Sequence, residues 1–317
     1  MFSVSALGEL LIDFTDAGTS ADGQLLFERN AGGAPANVLV ALERLGHQTA
    51  FLGKVGQDMH GEFLRATLER EGVDTSGLIS DPDAFTTLAF VALSPDGERE
   101  FSFARKPGAD TRITEDELAR DVIASSRVFH VGSLSLTDEP ARSATLAALA
   151  CAHEAGCALS YDPNYRANLW PSAGAAVEQM RAVVPQMDLM KLSDEECELL
   201  TDEKDPEAAA AALLSQGPKV VAVTLGGSGA YVRTADGGAT VPGFPADAVD
   251  ATGAGDSFWG GFLAGFCESG KAPGEVTVED AAGFARLGNA VASLCVRKRG
   301  AIPAMPERSE VGALLGA

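Results

Sequence analysis

Two hydrophobic rhythms alternate along this chain. Val4–Phe14 is an apolar run interrupted by Gly8-Glu9 and closing on Asp13, which predicts a strand whose end enters a site. Over Ala34–Leu45 the apolar residues Val38, Leu39, Ala41, Leu42 and Leu45 fall at helical spacing and stop at Gly46. A short strand near Ala50–Val55 follows, then a helix near Met59–Glu71 stopped by Gly72. Thr86–Leu93 and Glu98–Ala104 flank Pro95-Asp96-Gly97, a hairpin signal. From Arg112 onward, helical patterns near Glu115–Ala124, Glu139–Ala155 and Ala173–Val184 alternate with strands near Val128–Val131, Ala158–Asp162, Leu189–Leu192 and Val220–Thr224. Pro206–Leu214 is alanine-rich and helical in character, and helices near Gly255–Glu268 and Val278–Val296 complete the pattern.

Alternation of this kind predicts right-handed βαβ units and a mostly parallel sheet covered by helices on both faces, a three-layer α/β/α sandwich. The polar segment near 14–30 and the hairpin near 86–104 break the rhythm, and together they read as a small β lid on one edge of the main sheet. No linker or internal repeat is visible, so residues 1–317 are expected to form one domain.

Bulk properties narrow the function classes. Apolar residues make up 46% of the 317 and charged residues 22%, which argues against disorder. No run of about 18 uncharged apolar residues occurs, so no membrane span is expected. Met1–Asp13 lacks a basic start and carries Glu9 and Asp13, unlike a secretory leader. The five cysteines are scattered and never spaced C-x-x-C, which fits reduced thiols of a cytoplasmic protein better than disulfides or zinc. The four histidines form no H-x₃-H pair. A net charge of −21 opposes binding to nucleic acid or anionic lipid, and a polyanionic substrate would need metal and local basic groups.

The chemistry concentrates in Asp250-Ala251-Thr252-Gly253-Ala254-Gly255-Asp256, which runs into the apolar Ser257–Leu263. Small residues at a helix start leave backbone N–H groups uncovered and able to face an anion. A carboxylate in that turn makes sense if it takes a proton from the group that attacks a phosphate there. Taken alone, the segment fits equally a glycine-rich helix start with Asp256 complementing the dipole. Asn30-Ala31-Gly32-Gly33-Ala34-Pro35-Ala36-Asn37 supplies a second glycine pair, followed one helical turn on by a side chain that both gives and accepts hydrogen bonds, as polyols require. Thr224-Leu225-Gly226-Gly227-Ser228-Gly229 follows an apolar strand, as a phosphate-contacting turn should. Gly265–Lys271 imitates a P-loop, but Ala272 replaces the required Ser/Thr, and Phe258 spoils a dinucleotide fingerprint at Gly253-x-Gly255.

These segments, in this order and over essentially the whole chain, resemble the signature segments of the ribokinase-like (PfkB) carbohydrate kinases. Tyr161–Arg166, Leu169-Trp170, Lys191–Glu196 and Arg299–Pro303 look most like the bacterial fructokinases within it. The resemblance implies Asp256 as catalytic base, with Gly253, Ala254 and Gly255 forming the anion hole and Arg166 reaching the transferring phosphate. It implies that Asp13, Gly32, Gly33, Asn37, Arg105 and Arg166 hold the sugar, and that Lys191, Thr224, Gly226, Gly229 and Asn289 face the nucleotide. Glu196 would tether waters on Mg²⁺, with Ser193 standing where an asparagine is usual, and Asp250, Thr252 and Gly300 would border a monovalent cation, K⁺.

The expectation is therefore an ATP- and Mg²⁺-dependent sugar kinase, a fructokinase making fructose 6-phosphate, with a homodimer formed through the lid. A 2-keto-3-deoxygluconate kinase is the alternative within the class, since Arg166 and Trp170 suit a sugar acid, although the chain is short of further basic residues for one. A catalytically silent sugar sensor on the same fold is the alternative from another class. A nucleoside kinase is disfavoured by the lack of an aromatic cluster, and a dehydrogenase by the failed fingerprint.

Overall fold

The computed structural model describes residues 1–93 and 99–316, so the Pro95-Asp96-Gly97 turn lies outside the described residues. The strands are β1 (Phe2–Leu7), β2 (Leu11–Thr19), β3 (Leu25–Gly32), β4 (Thr49–Gly56), β5 (Asp74–Asp81), β6 (Leu88–Leu93), β7 (Arg99–Ala104), β8 (Ser126–Gly132), β9 (Ala158–Asp162), β10 (Leu189–Ser193), β11 (Val220–Thr224), β12 (Gly229–Thr234) and β13 (Gly237–Pro242). Nine of them form one sheet in the order β13-β12-β11-β10-β9-β8-β1-β4-β5. It is parallel from β11 to β5, and the β12–β13 hairpin adds an antiparallel edge.

Alternation along the parallel strands divides the apolar side chains between two cores. Val220 and Ala222 pack with the helices Ala34–Arg44, Ala254–Ser269 and Val278–Cys295, while Val221 and Val223 face Ala141–Glu154 and Ala173–Val183 on the other side. This is the expected three-layer α/β/α sandwich. The helix starts follow from local chemistry. Asp58 accepts from His60 N and Gly61 N, both at 2.9 Å, and Thr277 with Asp280 makes a capping box.

Some expected elements divide. Val4–Phe14 is two strands in two sheets, because the chain turns at Gly8, where a Cβ would lie 2.6 Å from Pro35 Cγ. The Glu115–Ala124 segment is a 3₁₀ turn over Glu115–Glu117, closed by a Thr114–Glu117 capping box, and then a short helix Arg120–Ala124. The polar edge strand β5 and the glycine-bearing β13 were not anticipated.

A second sheet, in the order β3-β2-β6-β7, stands over the edge of the first. Its inner face carries Asp13, with Asn30 donating to Thr15 Oγ1 at 3.0 Å. Its outer face carries Phe14, Phe27 and Phe90, with ring centroids 5.2 to 6.5 Å apart. Leu25 and Phe27 there are 55% and 42% exposed. Among the described residues no helix is long and apolar enough to cross a membrane.

Candidate active site

Beyond the carboxyl ends of β1, β9, β10 and β11, and under the small sheet, lies a cavity of about 500 Å³. This is where open parallel sheets place ligands, because the strand ends and the loops leaving them converge there. Asp13, Gly33, Asn37 and Arg166 line one part, and Lys191, Glu196, Thr224 and Gly226 another. Thr252, Gly253, Ala254, Gly255 and Asp256 run between them.

The helix Ala254–Ser269 starts in that wall. Gly253 caps it in the left-handed region at φ 75°, where a Cβ would lie 2.7 Å from Ala301 Cβ. Ala254 N–H turns back to the Ala251 carbonyl at 3.2 Å, so it is less available to an anion than the sequence suggested. Gly255 and Asp256 therefore supply the first-turn N–H groups that no carbonyl of the helix can reach. Lys191 adds a full charge beside them: a Cβ on Gly255 would lie 2.9 Å from Lys191 Nζ. Asp162 pairs with that ammonium at 2.9 Å. Burial works against the lysine's charge, but Asp162 and Glu196 outweigh it and hold Lys191 above the ordinary lysine range.

Asp256 is buried, and its Oδ2 accepts from Asn37 Nδ2 at 2.7 Å. Burial, reinforced by the Asp162 charge, raises its carboxyl to about 6, while Asn37, Lys191 and Arg166 pull the other way. Asp13 is raised to about 7 by burial and by the charges of Asp256 and Asp250, against the pull of Arg166. Glu9, which burial raises to about 7, lines the same cavity, so three acids with carboxyls near neutrality face it, the tuning that proton transfer at physiological pH requires. A polar chain steadies the helix from below: Trp259 Nε1, one turn beyond Asp256, donates to Ser160 Oγ at 3.0 Å, and Ser160 Oγ lies 3.0 Å from His130 Nδ1.

Gly32 and Gly33 are needed for space. A Cβ on Gly32 would lie 2.1 Å from Asp13 Oδ2, and one on Gly33, at φ 120°, would lie 2.3 Å from the Glu9 carbonyl. Arg105 departs from expectation and does not line the cavity. Its Nε donates to Asp110 Oδ2 at 2.7 Å, Nη1 to Thr137 Oγ1 and Nη2 to the Leu134 carbonyl, both at 2.8 Å, so the guanidinium is held outside the cavity by its own neighbours. Glu196 lines the cavity while serving as a helix cap: its Oε2 accepts from Ser193 N at 2.8 Å and its Oε1 from Tyr165 N at 2.7 Å. Asp250 Oδ2 accepts from Gly300 N and its Oδ1 from Thr252 N, both at 2.9 Å, which stitches two distant loops beneath the helix start.

A second cavity of about 950 Å³ adjoins the first, and Gly226, Ala251 and Ala254 line both. Asn289 lines it, though its Nδ2 is engaged by the Val241 and Pro242 carbonyls at 3.1 Å each. Gly229 lines neither cavity; a Cβ there would lie 2.1 Å from the Val241 carbonyl, so this glycine serves the β12–β13 pairing. The apolar wall of Phe244, Pro245, Val249 and Val296 was not anticipated, because a loop holding Gly, Pro and Asp gives no periodic signal. Asp162 and Glu9 were also missed. A carboxylate closing the apolar strand 158–162 is the same signal that drew attention to Asp13.

The family model of the pfkB carbohydrate kinases matches residues 1–308. A protein from Arabidopsis thaliana named probable fructokinase-4 is 44% identical over 98% of this chain and 96% of its own. The structure of a fructokinase with bound ATP from Xylella fastidiosa superposes with a TM-score of 0.89 at 33% identity, covering 100% of this chain and 99% of that one. A putative ribokinase II from E. coli in complex with ATP and Mg²⁺ gives 0.87 at 26% identity, over 100% and 99% of the two chains.

Proposed function

The chain belongs to the pfkB family of carbohydrate kinases, and from that premise we infer that it moves the terminal phosphoryl group of ATP onto a hydroxyl of fructose, giving fructose 6-phosphate. One observation carries the reading. The Asn37-bound carboxyl of Asp256 lies in the first turn of the helix whose N-terminus walls off one polar cavity from a second, larger one. The sugar occupies the smaller cavity, and adenosine occupies the larger one.

Asp13 and Asn37 bind sugar hydroxyls, and Asp256 accepts the proton of the attacking hydroxyl as the new P–O bond forms. Because phosphoryl transfer is loose, the base acts late and most of the work is positioning and charge. The N–H groups of Gly255 and Asp256, together with Lys191 and Arg166, face the charge on the migrating group. The small sheet excludes water that would otherwise take the phosphoryl group.

The donor set fits a metal carried on the nucleotide. Among the described residues no group of three or more His, Cys, Asp or Glu could hold an ion by itself, whereas Mg²⁺ commonly binds through phosphates, waters and one or two carboxylates. Glu196 would hold it through water, and the ion would offset phosphate charge in a chain of net charge −21. K⁺ would sit beside the Asp250–Thr252–Gly300 stitch, which holds two loops together beneath the helix start. Five free cysteines support a cytoplasmic setting, and the exposed Leu25, Phe27 and Phe90 support a homodimer through the small sheet.

A sugar-acid substrate fits less well: Arg105 is committed to Asp110, and Arg166 shares its part of the cavity with the acids Glu9, Asp13 and Asp256. The deciding experiment is ADP release with ATP and Mg²⁺ against fructose, ribose and 2-keto-3-deoxygluconate in parallel. Fructose should give the highest kcat/KM. Higher kcat/KM with the sugar acid overturns the assignment, and binding of sugar without ADP release from any of them points to a sensor.

A further inference from the structure

Glu9 sits where β1 gives way to β2, in the floor of the smaller cavity, and is only 3% exposed. Its Oε1 accepts from Ala34 N at 2.9 Å, supplying from outside the helix the cap that Gly33, with no side chain, cannot. Its Oε2 is buried without a hydrogen-bond partner among the described residues, as is Oδ1 of Asn37, which lines the same cavity. Buried polar atoms are nearly always paired, so two orphans in one cavity call for a partner. The Arg105 guanidinium is not that partner, being taken by Asp110, Thr137 and the Leu134 carbonyl.

We propose that Glu9 is a sugar-contacting residue, with Oε2 and Asn37 Oδ1 receiving two hydroxyls of a neutral sugar in the floor of the cavity. Burial raises the Glu9 carboxyl to about 7, so at and above that pH, as the carboxylate, its Oε2 is an acceptor like Asn37 Oδ1, and the ligand groups the two pair with there must be donors. A hydroxyl meets that need; a carboxylate at the same place brings acceptor against acceptor. The proposal deepens the kinase reading and rests on it, since it names a residue that selects polyols over sugar acids.

The informative substitution is Glu9→Gln. It keeps Oε1 for Ala34 N–H and puts an NH₂ where Oε2 was, reversing the hydrogen-bond polarity while leaving the cap in place. KM for fructose should rise at least tenfold, with KM for ATP changed less than twofold and melting temperature preserved. Affinities of wild type and E9Q for a panel of monodeoxyfructoses should then identify the contact. The analogue lacking the paired hydroxyl should bind the two proteins within about twofold of each other, while the others still discriminate.

An unchanged fructose KM in E9Q overturns the proposal. So does a penalty spread evenly over every deoxy analogue, which would leave Glu9 as the helix cap alone. Glu9→Ala, which also removes the cap, separates the two roles: a purely structural Glu9 would lower the melting temperature and kcat without any analogue-specific effect. Failure of the fructose assignment shows earlier and separately, as wild-type protein that releases no ADP with fructose. The panel is then built on whichever sugar the wild type does phosphorylate.

Discussion

In the proposed reaction Asp256 is the base, and its surroundings set both its position and its charge. Replacing it with Asn keeps a hydrogen-bonding partner for Asn37 while removing the base. The D256N protein should bind fructose and ATP with near-normal affinity by calorimetry and lose about three to five decades of kcat. Turnover within tenfold of wild type would rule the residue out as base. The pH dependence has a definite sign. A carboxyl raised to about 6 is protonated and idle below that pH and ionised above it, so kcat/KM should climb on an acid limb centred near 6. Arg166 pulls that value down, so Arg166→Ala should move the limb to higher pH. A limb that stays in place or moves down would show that Arg166 does not act on the base.

Asp256 is only as well placed as the helix that carries it, and that helix is fastened through Trp259, Ser160 and His130. Ser160→Ala leaves an indole N–H and an imidazole nitrogen buried without a partner, at a cost of about 1–3 kcal/mol in urea unfolding. The same substitution should lower kcat more than it raises either KM; unchanged stability and kcat would mean the chain of contacts positions nothing. Elements of this kind were legible to different degrees. Ala158–Asp162 and Val220–Thr224 are found at their expected limits because short, mostly apolar runs between turn residues leave one reading open. The β5 strand opens with the polar Asp74, Thr75 and Ser76, and gains its place from pairing with β4 and from burying Leu78, which its local pattern does not announce. The same division holds in the site. Glycines and carboxylates at strand and helix ends pointed to loops that line one cavity, but the capture of Arg105 by Asp110 and the capping duty of Glu196 are settled by side-chain packing. Glu9 was read as a break in an apolar run, which concealed a buried acid.

At the scale of the molecule, a charge of −21 meets a substrate that is itself an anion. Screening should help ATP and leave a neutral sugar indifferent. Raising ionic strength from 10 to 150 mM shortens the Debye length from about 30 to 8 Å, and KM for ATP should fall about two- to fivefold while that for fructose holds. Tetramethylammonium chloride is the salt of choice, because it does not imitate K⁺; a rising ATP KM would show that local attraction by Lys191 and Arg166 governs encounter. The outer face of the small sheet offers Phe27 and Phe90 as an apolar surface. Light scattering should give a dimer for the wild type and a monomer for Phe27→Glu with Phe90→Glu; equal masses would exclude that face as the contact. Finally, a single helical turn, with Gly226 and Ala251 at its flanks, is all that parts the two basins. A synthetic molecule carrying adenosine at one end and a hexose at the other, spaced by phosphates, would thread past Gly255 and fill both at once. Its tethered halves would raise each other's effective concentration, making it an inhibitor tighter than either fragment alone.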